Sequence, residues 1–580
     1  MGRLSVWAPR ARNIRVEIEG KRLEMSQAEG GWWQVESELA EPGADYAFIV
    51  DGSKPLPDPR SYRQPFGVHG PSRILDHNRF TWQDKGWQPP PLSSAIVYEL
   101  HVGTFTPEGT FQGVEERLDH LIDLGITHVE LMPVNGFSGS RGWGYDGVDL
   151  YAPHESYGGP EGLKHLVNRC HQKGLAVILD VVYNHFGPEG NYLEHFGPYL
   201  TERHRSPWGE AINFDGPESD EVRRFFCDNA AMWFRDYHMD ALRVDAVHAI
   251  VDTSPTHILE ALAEEVEALK TETGRHMALI AESDLNDPRV VRRREIGGYG
   301  IDAQWSDDFH HALHTVLTGE TAGYYADFGA LSQLAKALTS AFVYDGQYSK
   351  YRRRRHGRPV EGLSGNRFLG YIQNHDQVGN RATGTRLGHL VSPDRLKIAA
   401  VLVFTAPYIP MVFQGEEWAA ATPFQYFTDH QDPGLGEAVK KGRRSEFASF
   451  GWEETDIPDP QSQETFERSK LNWEEVGRSP HKEMLEWYRK CIRLRRSMPV
   501  LRTGRLDQVR TSFHEQDRWL VMERAPIVVA CNLAPFNQTV PLEPNTSPEV
   551  ILASGDARPN PHGIFMPPES IAVLVVGGGE

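Results

Sequence analysis

Cysteine is scarce in this chain. Cys170, Cys227, Cys491 and Cys531 are the only four in 580 residues, far apart and without C-x-x-C spacing. They are too few to staple a chain of this length and wrongly spaced for a zinc knuckle, which suits a reducing interior. Basic charge is also in deficit: 60 Lys and Arg stand against 80 Asp and Glu, a net charge of −20. The surface as a whole repels nucleic acid and anionic lipid, so neither is an expected partner. No run of about 18 apolar residues occurs, and the opening Met1-Gly2-Arg3-Leu4-Ser5-Val6-Trp7-Ala8-Pro9 lacks the apolar core of a signal peptide. The expectation is a soluble, cytoplasmic monomer. P-loop and dinucleotide-type glycine cradles are missing, as are H-x-H and H-E-x-x-H patterns.

What is present divides the chain in three. From Val6 to about Trp82, β-like runs (14–18, 33–35 and 46–50) are broken by Gly, Pro and Asp, predicting a small all-β domain over residues 1–90. Gln88-Pro89-Pro90-Pro91 reads as a stiff linker crossed by few contacts. Over 91–498, apolar runs of strand length alternate with amphipathic stretches. Candidate strands lie at 96–100, 128–132, 176–182, 241–244, 278–281, 303–305, 368–373 and 409–414. Eight such units predict an α/β fold closed as a (β/α)8 TIM barrel. Val114, Leu118, Leu121, Ile122 and Leu124 predict one side of the first helix, and Gly125 its C-cap. Long insertions after the third strand (186–218) and the sixth (310–366) fall on the face where barrels carry active sites. Over 499–580 short strands resume, predicting a C-terminal antiparallel β-domain. The run Arg352-Arg353-Arg354-Arg355 reads as a solvated loop.

Polar residues gather where the apolar strands end. The fourth strand runs into Arg243-Val244-Asp245, two residues apart and hence on one face. A carboxylate there is costly to bury unless paired, and the arginine would keep it ionised as a nucleophile requires. The fifth strand ends in Glu282-Ser283-Asp284; a carboxyl beside an ionised neighbour favours the protonated form that a general acid needs. The seventh ends in Gln373-Asn374-His375-Asp376, and the third supplies Asp180, Asn184 and His185. A strand-ending Asp is often only a helix cap, and a His often a satisfied core residue, but four such ends together point to function. Two carboxyls about 5 to 5.5 Å apart are the apparatus of retaining glycoside hydrolysis. Trp143, Tyr145, Trp208, Phe309, Trp418 and Tyr426 offer flat faces for sugar rings.

The segments 180–185, 242–248, 280–284 and 372–376 resemble, in order, the four motif regions of the α-amylase family of retaining glycosidases. That resemblance implies Asp245 as nucleophile, Glu282 as general acid/base and Asp376 as transition-state stabiliser, with Arg243, His185, His248 and His375 around the sugar and Tyr145 stacked on it. Within the family, the strings from Gly142-Trp143-Gly144-Tyr145-Asp146, Asp180 to Tyr192, Ala281 to Arg289, and Gln414-Gly415-Glu416-Glu417-Trp418 resemble the maltooligosyltrehalose trehalohydrolases. This implies hydrolysis of the α-1,4 bond next to the terminal trehalose of a maltooligosyl trehalose, releasing trehalose and a maltooligosaccharide. It further implies a cleft lined by Asp307, Asp308, Phe309, His310, His311, Gln377, Gly379 and Asn380, with Trp143, Asp146, Trp208, Glu417 and Trp418 binding substrate. The N-terminal domain resembles the immunoglobulin-like β-sandwich of glycogen branching enzymes. Many α-amylases use the asparagine at the position of Asn184 for calcium, but no second set of ligands is found, so neither metal nor cofactor is expected. The rival readings are a 1,4-α-glucan branching enzyme and a non-catalytic glucan-binding protein.

Overall fold

The computed structural model describes residues 2–448, 457–543 and 548–577. Eight parallel strands close a barrel: β1 (Val97–Leu100), β2 (His128–Leu131), β3 (Ala176–Val181), β4 (Ala241–Val244), β5 (Ala278–Ala281), β6 (Ala303–Trp305), β7 (Phe368–Gly370) and β8 (Ile409–Phe413). Each falls within a candidate run. Val97, Ile178, Ala241, Ile280, Leu369 and Met411 meet in one cluster that fills the barrel interior. Because side chains alternate along a strand, Glu99, Asp180, Arg243 and Glu282, each two residues further on, face the same interior nearer the C-terminal rim. The polar site is therefore the top of the same stack whose bottom is apolar.

The first helical segment is split into Phe111–Glu115 and Leu118–Leu124. Val114, Leu118, Leu121 and Leu124 are buried, but Ile122 is 37% exposed and does not join their face. Gly125, at φ 100°, closes the helix as expected, giving its N–H to the carbonyls of Leu121 and Ile122. The insertion after β3 carries a hairpin (Leu200–Ser206 with Gly209–Ile212). The one after β6 is largely helical: Asp307 and Asp308 open the helix Asp307–Thr318 with favourable charge at its N-terminus, and Gly319 ends it. A second helix, Leu331–Ser340, and a hairpin of Asp345–Ser349 with Arg354–Gly357 follow.

Before the barrel lie a three-stranded and a four-stranded antiparallel sheet, the latter centred on Ile14–Ile18 and Asp45–Val50. After it come a five-stranded antiparallel sheet around Ile527–Asn532 and a three-stranded one. The proline segment carries more contacts than its composition suggests. Trp87 stacks on His171 (centroids 4.6 Å apart) and donates to Asp240, and Trp82 stacks on His238. His171 bridges Asp84 and Asp240 through its two ring nitrogens at 2.8 and 2.9 Å. Aromatic and carboxylate side chains next to the prolines, not the prolines themselves, fasten this segment to the N-terminal end of β4.

Candidate active site

One guanidinium organises the rim. Arg243, fully buried on β4, donates from Nη1 to Asp180 Oδ2 at 2.7 Å and Asp245 Oδ1 at 2.8 Å, while Nη2 lies 3.0 Å from Glu282 Oε2. Its plane rests over Trp305, with the guanidinium carbon 4.1 Å from the ring centroid. Asp245 and Glu282 are thus held at opposite arms of a single cation. Asn184 donates from Nδ2 to Asp245 Oδ2 at 2.8 Å, and the N–H of Ala246 donates to Glu282 Oε2 at 2.8 Å. Ala246 takes φ 40° and ψ 49° to do so. An alanine in this left-handed region costs about 1 kcal/mol or more, strain of the kind stored where geometry serves chemistry.

Asp376 joins this pair from the short helix His375–Gly379 after β7, with Asn380 Nδ2 donating to its Oδ1 at 3.0 Å. Tyr145 lies within the field of Asp180, Asp245 and Asp376 together. It donates to Asp180 Oδ2 at 2.6 Å and stacks on His375 at 5.0 Å. Burial first, then the Asp180 charge, push the Tyr145 phenol well above its ordinary range, so it stays a neutral donor. Burial also pushes Asp180 up to about 7, against the pull of Arg243. On the far wall Asp307 accepts from Tyr371 Oη at 2.6 Å; burial and then the Glu282 charge push it up to about 7. Gln377 reaches the same oxygen at 3.4 Å.

His185 sets its Nδ1 2.6 Å from Asn184 Oδ1 and its ring flat against Trp208, 4.4 Å between centroids. Burial pushes His185 down to about 4, so the imidazole is neutral near pH 7. Trp208 itself, on the hairpin after β3, is 51% exposed. Burial opposes the charge of Asp284, yet His248 and Arg352 hold that carboxyl below the usual range. Arg352 donates to it at 2.8 Å, so the first member of the arginine run is engaged and only Arg353 to Arg355 are exposed. Asp146 stands half-buried beside His430. Asn184, a calcium ligand in many α-amylases, has its amide spent on Asp245 and its oxygen on His185, which does not fit a metal ligand.

Trp143 is buried against Phe424 and donates to the Gln425 carbonyl at 2.9 Å. Gly379 makes that possible, because a Cβ there would stand 2.1 Å from the Trp143 ring. Gly379→Ala is expected to cost about 1–3 kcal/mol by overpacking and, by displacing Trp143 from its edge contact with His375, to lower kcat as well. Urea midpoints and turnover rates check both.

Several expected cleft residues lie elsewhere. Asp308 accepts from the N–H groups of Val343 and Tyr344 and from Asn286, pinning the insertion after β6. Phe309 is buried on Tyr408, and His310 is spent on the Ile372 carbonyl and Tyr325 Oη. His311 packs among Tyr324, Tyr325 and Phe328. The helix presents Asp307 to the rim and buries Asp308, Phe309 and His310. Glu417 and Trp418 are 0% exposed; Glu417 accepts from Tyr98 Oη and pairs with His120, and Trp418 packs on Trp473. Asp308, Phe309, His310, Glu417 and Trp418 present no surface on which a sugar could sit, whereas His311, 8% exposed and within the field of Asp284 and Arg352, stays beside the rim. Conversely, motif reading passed over Trp305 beneath Arg243, Tyr371 on Asp307, and Glu99, which accepts from both the backbone N–H and Nδ1 of His375. Their shared signal is the two-residue alternation into the barrel.

Residues 71–206 match the alpha amylase catalytic domain, and 504–573 match a domain of unknown function, DUF3459. A malto-oligosyltrehalose trehalohydrolase from Arthrobacter ramosus is 47% identical to this chain over 99% of both. The chain belongs to the malto-oligosyltrehalose trehalohydrolase family. A second member, from Mycobacterium tuberculosis, is 47% identical over 95% of each chain. A solved structure titled putative alpha amylase, from Salmonella typhimurium, superposes with a TM-score of 0.90 at 36% identity, covering 99% of this chain and 97% of that one. A 1,4-alpha-glucan branching enzyme from Vibrio parahaemolyticus is 30% identical over 53% of this chain. Thus the family resemblance carried by the four motifs extends over the whole length, and the branching enzyme is the more distant relative. Among the described residues, no helix is long and apolar enough to cross a membrane.

Proposed function

We propose that this chain is a retaining glycoside hydrolase that cleaves the α-1,4 bond next to the terminal trehalose of a maltooligosyl trehalose, releasing trehalose and a maltooligosaccharide. The observation that carries the reading is the single Arg243 guanidinium gripping Asp245 and Glu282 together. Asp245 attacks the anomeric carbon as the bond to trehalose breaks, forming a glycosyl ester. Glu282 delivers its proton to the departing trehalose oxygen. The Glu282 carboxylate then takes a proton from water, whose oxygen displaces Asp245 from the anomeric carbon. Asp376 stabilises the oxocarbenium-like charge between the steps. His185, Trp208, His248, Asp307, Gln377 and Asn380 stand around the mouth to bind hydroxyls and ring faces. The protein acts as a monomer in the cytoplasm, and the four buried, unpaired cysteines support the reducing compartment.

Incubation with maltopentaosyl trehalose tests this reading. Free trehalose and maltopentaose are the expected products, with the new reducing end first formed as the α-anomer. New 1,6 branches on amylose, with no trehalose released, would overturn it.

A pH dependence follows from His375. Burial opposes its charge, but Asp376 and Glu99 together raise it to about 9. With a folded value above the ordinary 6.5 or so of imidazole, its stabilisation is complete below that pH and lost as pH rises through about 9. The shift corresponds to roughly 3 kcal/mol. Thermal stability is expected to decline on this alkaline limb, and less steeply in His375→Gln; equal slopes in the two proteins would contradict the assignment.

A further inference from the structure

The adjacent strands β1 to β4 each bring one charged side chain into the interior: Glu99, Glu130, Asp180 and Arg243. Glu99 and Glu130 are register partners, Glu130 pairs with Ile178, and Asp180 pairs with Arg243. Ile178 belongs to the interior cluster and precedes Asp180 by two residues, so Glu130 stands one layer below the Asp180–Arg243 pair. Three of the four are accounted for. Glu99 holds His375, Asp180 accepts from Tyr145 and Arg243, and Arg243 serves the rim carboxylates.

Glu130 is the exception: it is 0% exposed, and neither carboxyl oxygen has a hydrogen-bond partner. An ionised carboxylate in that condition costs several kcal/mol, and Glu99 beside it adds repulsion. Asp180 Oδ1 and Arg243 Nε, one layer above, are likewise buried without partners. Buried polar atoms in this condition are ordinarily satisfied by enclosed water.

We propose that Glu130 is a positioning residue which remains a neutral carboxylic acid at working pH and donates its proton, through an enclosed water, to Asp180 Oδ1. It thereby forms a hydrogen-bonded floor under the clamp of Asp245, Arg243 and Glu282. The groups that face it are Glu99 from β1, Asp180 from β3, Arg243 from β4 and His375 from the helix after β7. Its neutrality leaves the Arg243 charge to the rim carboxylates, where an ionised Glu130 would draw that charge downward. Burial acts in the same direction, with the Glu99 charge adding to it, and pushes the Glu130 carboxyl well above its ordinary range.

The kinetic test of this role rests on the hydrolase reading, whereas an infrared test stands without it. At neutral pH the infrared difference between wild type and Glu130→Gln is expected to show a carboxylic-acid carbonyl band that the variant lacks; no such band overturns the proposal. Glu130→Gln, a neutral isostere, is expected to lower kcat less than about threefold and to keep the pH profile. Glu130→Leu, which removes the donor, is expected to lower kcat about tenfold, the worth of one hydrogen bond, with KM little changed and the pH profile displaced. If Gln displaces the profile as Leu does, or if Leu keeps the wild-type profile, the positioning role is wrong. Should Leu fail to fold, the infrared band and the Gln profile still decide.

Discussion

Asp245→Asn and Glu282→Gln are each expected to lower kcat by about four orders of magnitude while the protein still folds. Asparagine cannot form the glycosyl ester and glutamine cannot deliver a proton, so each removes something needed only on the way to the transition state. Both side chains sit at the open end of the barrel interior, Asp245 at 7% exposure, and neither belongs to the apolar stack below. Melting curves should therefore move far less than rates. The two variants are separable. An activated substrate with a fluoride leaving group needs no proton at departure, so it should restore the glycosylation step in Glu282→Gln and not in Asp245→Asn. Trehalose release near the wild-type rate from either variant would remove that residue from the mechanism, and equal rescue of both would mean the two roles are misassigned.

The barrel was legible because two periods are written on it: apolar runs of strand length, and helical stretches between them. The rim was legible because a charged residue at the end of an apolar strand has few places to go. Arg243 and Asp245, two apart, had to share a face, and they do. Reading went astray where a motif was carried over as a block. Asp307 to His311 is one string in sequence but a helix in space, and a helix cannot point five consecutive residues into one cleft. Glu417 and Trp418 follow β8 and suggest the rim, yet their partners are Tyr98, His120 and Trp473, contacts that no local pattern announces. The proline segment misled for a related reason. The residues beside the prolines, Trp82, Asp84 and Trp87, find their partners about 85 to 155 positions away. Glu130 escaped notice because a lone acid inside an apolar run of His128–Leu131 reads as an interruption, and only closure of the barrel shows what stands next to it.

Arg243→Met tests the clamp itself. The substitution approximates the length of the side chain but removes the cation shared by Asp180, Asp245 and Glu282. Breaking a buried ion pair from one side costs about 3–5 kcal/mol, because the partner is left charged and alone; here three carboxyls lose the same partner. A clear fall in the urea midpoint is expected, together with a loss in kcat of about three orders of magnitude as Asp245 and Glu282 spread apart. Arg243→Lys should recover part of the stability but little of the rate. A single ammonium has no second arm for Glu282 and no plane to lie over Trp305. Proton linkage gives the direction of the pH effect. Protonated carboxyls need no cation, so the stability gap between Arg243→Met and wild type should narrow as pH falls toward about 7, the value to which burial pushes Asp180 with Arg243 in place and above which Asp180 titrates once Arg243 is gone. A gap that stays constant with pH would mean that Arg243 holds the site by packing on Trp305 alone, and that the carboxylates do not depend on its charge.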